Sequence, residues 1–364
     1  MKKVEIYDTT LRDGAQSEDV SFSVEDKLRI SRHLDDLGIA YIEGGWPGAN
    51  PKDKDFFRAA AKEKFRNATL VAFGATRRSD EKCSQAPNIR ELLNSKAPAA
   101  AIVGKAWDFH VTHVLKSSTN RHLEAINDTI AYLKKRLDRV IFDAEHFFDG
   151  WNENEGYARA ALRAACDGGA DCICLCDTNG GNMPEDIARI TREVVMSFDV
   201  PVGIHCHNDS DAAVASSLAA VREGARQVQG TVNGLGERCG NADLCSIIPN
   251  LQLKMGYRCI PSGNMAKLRD ISRFVYEMAN LLPPKHQPFV GDSAFAHKGG
   301  IHVSAVRKQA RSYEHIDPAA VGNVRRILIS DQAGRSNIED KAAQYGLKID
   351  RRDPKSRAIL DQLK

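Results

Sequence analysis

The sequence predicts an α/β fold, a (β/α)8 TIM barrel with C-terminal accessory α/β subdomains. Three observations predict it. Short apolar or β-branched runs alternate with longer helix-patterned segments, eight such runs can be counted, and the rhythm changes only after about residue 257.

The strand runs fall at 4–8, 40–45, 69–74, 99–104, 139–143, 171–177, 201–207 and 227–233. Between them, segments such as 24–37, 122–137, 155–167, 184–198 and 211–223 carry the helical period and end near turn residues. Met183-Pro184-Glu185-Asp186 suits a helix first turn. Runs apolar on both faces and joined by helices imply a parallel sheet covered on its outside, and eight units favour closure over an open sheet. A barrel of about 250 residues plus roughly 100 more fits the 364 residues and their 42% hydrophobic content. Beyond the barrel the pattern predicts a helix over 265–282, stopped by Pro283-Pro284, then a Gly/His-rich segment, 291–302, and a mixed tail. The expected domains are a catalytic barrel, 1–260, accessory subdomain I, 261–310, with His302, and accessory subdomain II, 311–364.

Net charge is +3 with both signs interspersed, which argues against a nucleic-acid surface. No run approaches the roughly 20 apolar residues of a membrane helix. The start MKKVEIYDTT does not read as a secretory signal, so a cytoplasmic chain without a membrane partner is expected. Nine cysteines, an odd number, suit reduced thiols. Cys172, Cys174 and Cys176 share one strand face and read as core packing rather than as a metal site.

In such a barrel the chemistry lies at the carboxyl ends of the strands. The polar residues there are Arg12 and Asp13, Glu43, Glu145, Thr178, His205 and His207, and Asn233 with Glu237 and Asn241. His205 and His207, two apart on one strand, share a face, which fits either a metal pair or two hydrogen-bonded structural histidines. With Asp13 as a third ligand the set leaves open positions for a chelating 2-oxo acid. Arg12 then stands where an alkoxide would form; taken alone, the Arg12-Asp13 loop reads rather as a surface turn with an ion pair, a reading that recedes beside the paired histidines. The glycines from Gly234 to Gly240 read as a tight strand-to-helix loop rather than a dinucleotide site. For the histidines of His297-Lys298-Gly299-Gly300-Ile301-His302, the pattern alone leaves a loop role and a functional one open.

Three separated motifs carry a family resemblance: Asp8-Thr9-Thr10-Leu11-Arg12-Asp13-Gly14-Ala15-Gln16, His205-Cys206-His207-Asn208-Asp209, and Asn233-Gly234-Leu235-Gly236-Glu237-Arg238-Cys239-Gly240-Asn241-Ala242. Together they resemble the metal-dependent acyl-CoA Claisen synthases, the 2-isopropylmalate, homocitrate and citramalate synthases, with hydroxymethylglutaryl-CoA lyase as a relative. The resemblance implies an acyltransferase whose acyl group becomes alkyl on transfer. It implies a divalent ion (Mg2+, Mn2+ or Zn2+) on Asp13, His205 and His207 with Asn241 close by. It also implies keto polarisation by Arg12, carboxylate binding by Thr178, and proton chemistry at Glu145. Gln16 and Glu43 are implied around the substrate, and His302 and Tyr313 in removing the acetyl-CoA methyl proton. In this family that pair comes from the partner chain, so a domain-swapped homodimer is implied. The segment from Ile42 through Trp46 to Asp53 resembles the citramalate synthase branch, which implies pyruvate as acceptor and a place in isoleucine biosynthesis. Trp46, with Trp107 or Phe109, either narrows the acceptor pocket or only packs the rim. The alternatives are a 2-isopropylmalate or homocitrate synthase, or a hydroxymethylglutaryl-CoA lyase-like enzyme. The family's C-terminal regulatory domain is expected to be absent.

Overall fold

The computed structural model of the chain describes residues 2–329 and 335–347 and, beyond them, only positions 354, 358 and 362. The last part of accessory subdomain II, 348–364, therefore lies almost wholly outside the described residues. Eight parallel strands close into a barrel: β1 (Glu5–Asp8), β2 (Tyr41–Gly45), β3 (Thr69–Ala75), β4 (Ala99–Lys105), β5 (Arg139–Glu145), β6 (Cys172–Asp177), β7 (Val202–Cys206) and β8 (Gln227–Gly230). Closure is made by β1 against β8, with Tyr7 opposite Gln229 and Asp8 opposite Gly230.

A helix follows each strand: α1 (Val24–Leu37), α2 (Pro51–Ala60), α3 (Pro87–Asn94), α4 (Thr119–Lys134), α5 (Phe147–Asp167), α6 (Pro184–Ser197), α7 (Ala213–Arg222) and α8 (Leu244–Pro249). Their starts follow local chemistry. Ser23 and Asp26 form a reciprocal capping box on α1. Pro184 opens α6 with Glu185 and Asp186 in its first turn. Two of the predicted barrel helices start earlier than expected. The Ser118 side chain accepts from the Arg121 amide, so α4 begins earlier than residue 122. Helix α5 begins before residue 155 because the chain bends at Asn154 and continues.

Strand alternation sorts the core into two layers. Tyr7, Tyr41, Val71, Phe73, Ala101, Ile141, Cys172, Cys174 and Cys176 pack together as one buried cluster. Ile6, Ile42, Ile102, Phe142, Ile173 and Ile204, at the alternate positions, are fully buried as well. Burial on both sides explains why the runs read as apolar throughout rather than alternating. Burial pushes the Cys172 and Cys174 thiols up, as expected of packed, neutral groups.

Contacts divide the chain into two compact units, Met1–Asn264 with Phe274–Leu281, and Met265–Arg273 with Leu282–Lys364. The helix predicted over 265–282 is realised as a 3-10 segment, Ser262–Lys267, followed by an α-helix, Leu268–Met278. In the second unit a two-stranded parallel sheet pairs Ala296–His297 with Arg326–Ile327, and helix Gly300–Lys308 follows. Glu314 is buried there and accepts both Arg325 Nε and Arg325 Nη2 at 2.6 Å, with His297 Nε2 at 3.2 Å.

Candidate metal centre at the carboxyl end of the barrel

The loop after β1 is a tight 3-10 turn led by Asp13, which turns that carboxylate back over the strand ends. Asp13 Oδ2 lies 3.7 Å from His205 Nε2 and accepts from Thr9 Oγ1 at 3.2 Å. His205 and His207 face the same side, as their spacing predicts, with ring centroids 5.2 Å apart. Burial would raise Asp13, but Arg12, His205 and His207 together hold its carboxyl below the usual range. Burial first, and then neighbouring His205, depress His207 to about 3. Both effects favour an anionic carboxylate beside a neutral imidazole, the forms that bind cations.

Asn241 reaches this point through an antiparallel bridge between its backbone and that of His207. Its Nδ2 donates to the Leu235 carbonyl at 3.0 Å, which turns Oδ1 the other way. Asn241 Oδ1 and His207 Nδ1 are buried and have no hydrogen-bond partner among the described residues. Buried polar atoms are rarely left so, and a cation in reach of the amide oxygen and the imidazoles would complete the set. Two glycines make this approach possible. At Gly236 an added Cβ would lie 2.2 Å from Asn241 Nδ2, and at Gly240 one would lie 1.9 Å from the Gly234 carbonyl oxygen. A second group of ligand-type atoms, on Asp143, Cys174 and Cys176, lies mutually within 4.8 Å. It sits among the packed core residues, and burial holds the Cys174 thiol neutral.

Arg12 is clamped. Its Nε donates to Glu43 Oε2 at 2.8 Å, Nη1 bonds Asp13, and its guanidinium lies 4.0 Å from the centroid of the Phe73 ring. Burial alone would lower its pKa; the two carboxylates more than reverse that. Glu43 has no exposed surface, and its oxygens also accept from Tyr7 and Thr9 hydroxyls. Its position is behind Arg12.

A cavity of about 1140 Å³ opens over this end, lined by Arg12, Asp13, Gln16, Glu145, Thr178 and His207 among others. Thr178 Oγ1 accepts from the His146 amide at 2.8 Å. Glu145 is ion-paired with Lys105, a lining residue the sequence reading did not single out. Lys105 ends β4 directly after an apolar run, so the rule that selected the other rim residues could have found it. Trp46 lines the cavity, edge-on to Phe73 with centroids 5.2 Å apart, whereas Trp107 and Phe109 pack against each other at a tilt outside that lining. His302 and Tyr313 lie in the second unit, where their rings pair with centroids 4.3 Å apart. No described helix is long and apolar enough to cross a membrane.

Comparison with known proteins agrees with this architecture. Over its full length the chain is 56% identical to the (R)-citramalate synthase of Aquifex aeolicus, spanning 69% of that protein. It is 55% identical to the (R)-citramalate synthase of Geobacter sulfurreducens, again over its full length and 69% of the relative. The HMG-CoA lyase of Bacillus subtilis shares the fold, with a TM-score of 0.64 and 22% identity, over 79% of this chain and 97% of that one. Residues 289–364 match the family described as homocitrate synthase post-HMGL domain-like. With residues 3–275 matching the family described as HMGL-like, the chain belongs to that family.

Proposed function

We propose that this chain is a citramalate synthase, condensing acetyl-CoA with pyruvate and hydrolysing the thioester to give (R)-citramalate and CoA. The observation that carries this reading is the full-length 56% identity to an (R)-citramalate synthase. The site's chemistry is in keeping with it.

Asp13, His205, His207 and Asn241 would hold a divalent ion, and the carboxylate, imidazole and amide donors suit Mg2+, Mn2+ or Zn2+. A cation so held supplies Lewis-acid polarisation of the acceptor's keto oxygen. Arg12, fixed by Glu43, Asp13 and the Phe73 ring, places a second positive charge where the alkoxide develops. Thr178 has its oxygen occupied by the His146 amide, so its hydroxyl proton is left to donate to the pyruvate carboxylate. Trp46 and Phe73 bound the acceptor's methyl side, and Gln16 lines the same cavity. The methyl group of acetyl-CoA gives up a proton, its carbon bonds to C2 of pyruvate, and the alkoxide takes up a proton. Water then cleaves the C–S bond and CoA leaves as the thiol.

Glu145, held by Lys105, serves the proton movements. The partner subunit's His302 and Tyr313 would assist at the methyl group in a domain-swapped homodimer. In favour of this, Tyr313 is 47% exposed in the chain taken alone and its ring packs at a tilt against His302.

The deciding experiment measures CoA-thiol release from acetyl-CoA with pyruvate, 2-oxobutyrate, 2-oxoisovalerate and 2-oxoglutarate, with and without chelator. Pyruvate should give the highest kcat/KM and chelator should abolish release. A preference for 2-oxoisovalerate or 2-oxoglutarate would instead assign the isopropylmalate or homocitrate reaction.

A further inference from the structure

His205 is held from behind by a chain of buried side chains that runs across the inside of the barrel. His205 on β7 and Gln229 on β8 are register partners, and His205 Nδ1 lies 2.9 Å from Gln229 Oε1. Gln229 Nε2 in turn donates to Asp143 Oδ1 at 2.9 Å, and β5, which carries Asp143, is not adjacent to β8. All three side chains are secluded, with exposures of 6% for His205, 1% for Gln229 and 4% for Asp143.

The direction of this chain is set by chemistry. The amide nitrogen of Gln229 faces Asp143 Oδ1 and also stands 3.5 Å from Gln227 Oε1. With Asp143 ionised, turning the amide round would set its oxygen against both of those oxygens in a buried site, an unfavourable contact. The oxygen of Gln229 therefore faces the imidazole and requires a hydrogen on His205 Nδ1. That tautomer leaves the lone pair on Nε2, the atom directed at Asp13 Oδ2 3.7 Å away. His207 differs, because among the described residues its Nδ1 has no such partner. One imidazole of the pair is pre-oriented and the other is not.

We propose that Gln229 and Asp143 are positioning residues of the condensation site, fixing the tautomer and ring plane of His205 and so setting the affinity of the centre for its divalent ion. The inference rests on the reading of Asp13, His205 and His207 as that centre. Hydrogen bonding behind a ligating histidine commonly changes metal affinity by about 10–100-fold. A glutamine that only filled the core would leave metal affinity unchanged when replaced by an apolar side chain of its own shape.

The test is titration of the purified full chain, stripped of metal, with Mn2+ alone, following free Mn2+ by electron paramagnetic resonance. Circular dichroism and Tm of each variant report folding. Gln229→Met keeps length and volume but removes both hydrogen bonds, and it should weaken Mn2+ binding by about 10–100-fold. Asp143→Asn retains an acceptor for Gln229 and should stay within about threefold of the wild type, whereas Asp143→Leu should weaken binding, though less than Gln229→Met. Because the two residues act in series, the Gln229→Met/Asp143→Leu double variant should bind no more weakly than Gln229→Met alone. Should Gln229→Met not fold, the contrast between Asp143→Leu and Asp143→Asn decides the matter. His205→Ala separates the two readings. If it leaves Mn2+ affinity at the wild-type level, the centre itself is misassigned. If it abolishes binding while folded Gln229→Met or Asp143→Leu binds like the wild type, the positioning role is overturned and the centre stands.

Discussion

Glu43 accepts the Nε–H of Arg12 at 2.8 Å from a position with no exposed surface, so a carboxylate that never meets solvent governs where the site's guanidinium stands. Its other bonds, from Tyr7 and Thr9, fix the carboxylate in turn. Glu43→Gln keeps the shape but removes the charge. It should lower kcat with pyruvate by about 10²-fold, the scale of losing one transition-state donor, with a smaller change in KM. Steady-state kinetics check this, and an unchanged kcat would remove Glu43 from the machinery.

Each group of the proposed cation site should be needed for both ion and activity. Asp13→Asn, His205→Ala and His207→Ala should each lose bound Mn2+ and reduce CoA release by at least about 10²-fold. Chelator should do the same to the wild type, reversibly. Metal analysis beside the kinetic assay checks it; a chelator-insensitive wild type would contradict the assignment.

The hydroxyl of Thr178 should matter to binding of the acceptor. Thr178→Val should raise KM for pyruvate by about tenfold, the value of roughly one hydrogen bond to a charged group, and leave KM for acetyl-CoA little changed. A variant that shifts the acetyl-CoA constant instead would place the residue at the other substrate.

The wall made by Trp46 and Phe73 should set acceptor size. Phe73→Ala should improve 2-oxobutyrate relative to pyruvate by an amount worth about 1–3 kcal/mol, while overall activity falls because Arg12 loses the ring it rests on. Ratios of kcat/KM for the two acids measure it.

Two buried carboxyls predict a pH dependence of stability. Burial foremost, with the charge of Glu43 adding to it, pushes Asp8 and Asp143 each up to about 7. An unfolded aspartate titrates near about 3.9, so between roughly pH 4 and 7 the folded chain binds protons that the unfolded chain does not. The stabilisation is therefore fully present below the lower value and lost as pH rises through the upper one. Asp143→Asn removes that residue's share. In metal-free protein its stability relative to the wild type, followed by Tm, should rise from pH 5 to pH 8, by a free energy on the order of a few kcal/mol at most. A difference that is flat in pH would refute the shift.

The barrel was legible because every strand is buried on both faces and every crossover is helical, so period and apolarity agreed. Boundaries were less so. The predicted strand over 227–233 ends at Gly230, since a 3-10 turn spans Val232–Gly234 with Asn233 at φ 67°, a change that the turn-forming pair Asn233-Gly234 does mark. The rim residues Asp13, His205 and His207 could be seen because they are polar at the ends of apolar runs. Lys105 obeys the same rule but sits one residue past the predicted strand end at 104. Gln229 and Asp143 were not legible as partners. Their meeting depends on which strands the closed barrel sets near each other, 86 residues apart in sequence.

The crowding at Gly236 and Gly240 bears on any attempt to redesign this protein. A random library that varied the loop bearing Asn241 would consist mostly of dead clones, since a single methyl there pushes the amide off its mark. Diversity is better spent at Trp46 across the cavity, whose side chain bonds Asn88 rather than Arg12 or any of the proposed cation ligands.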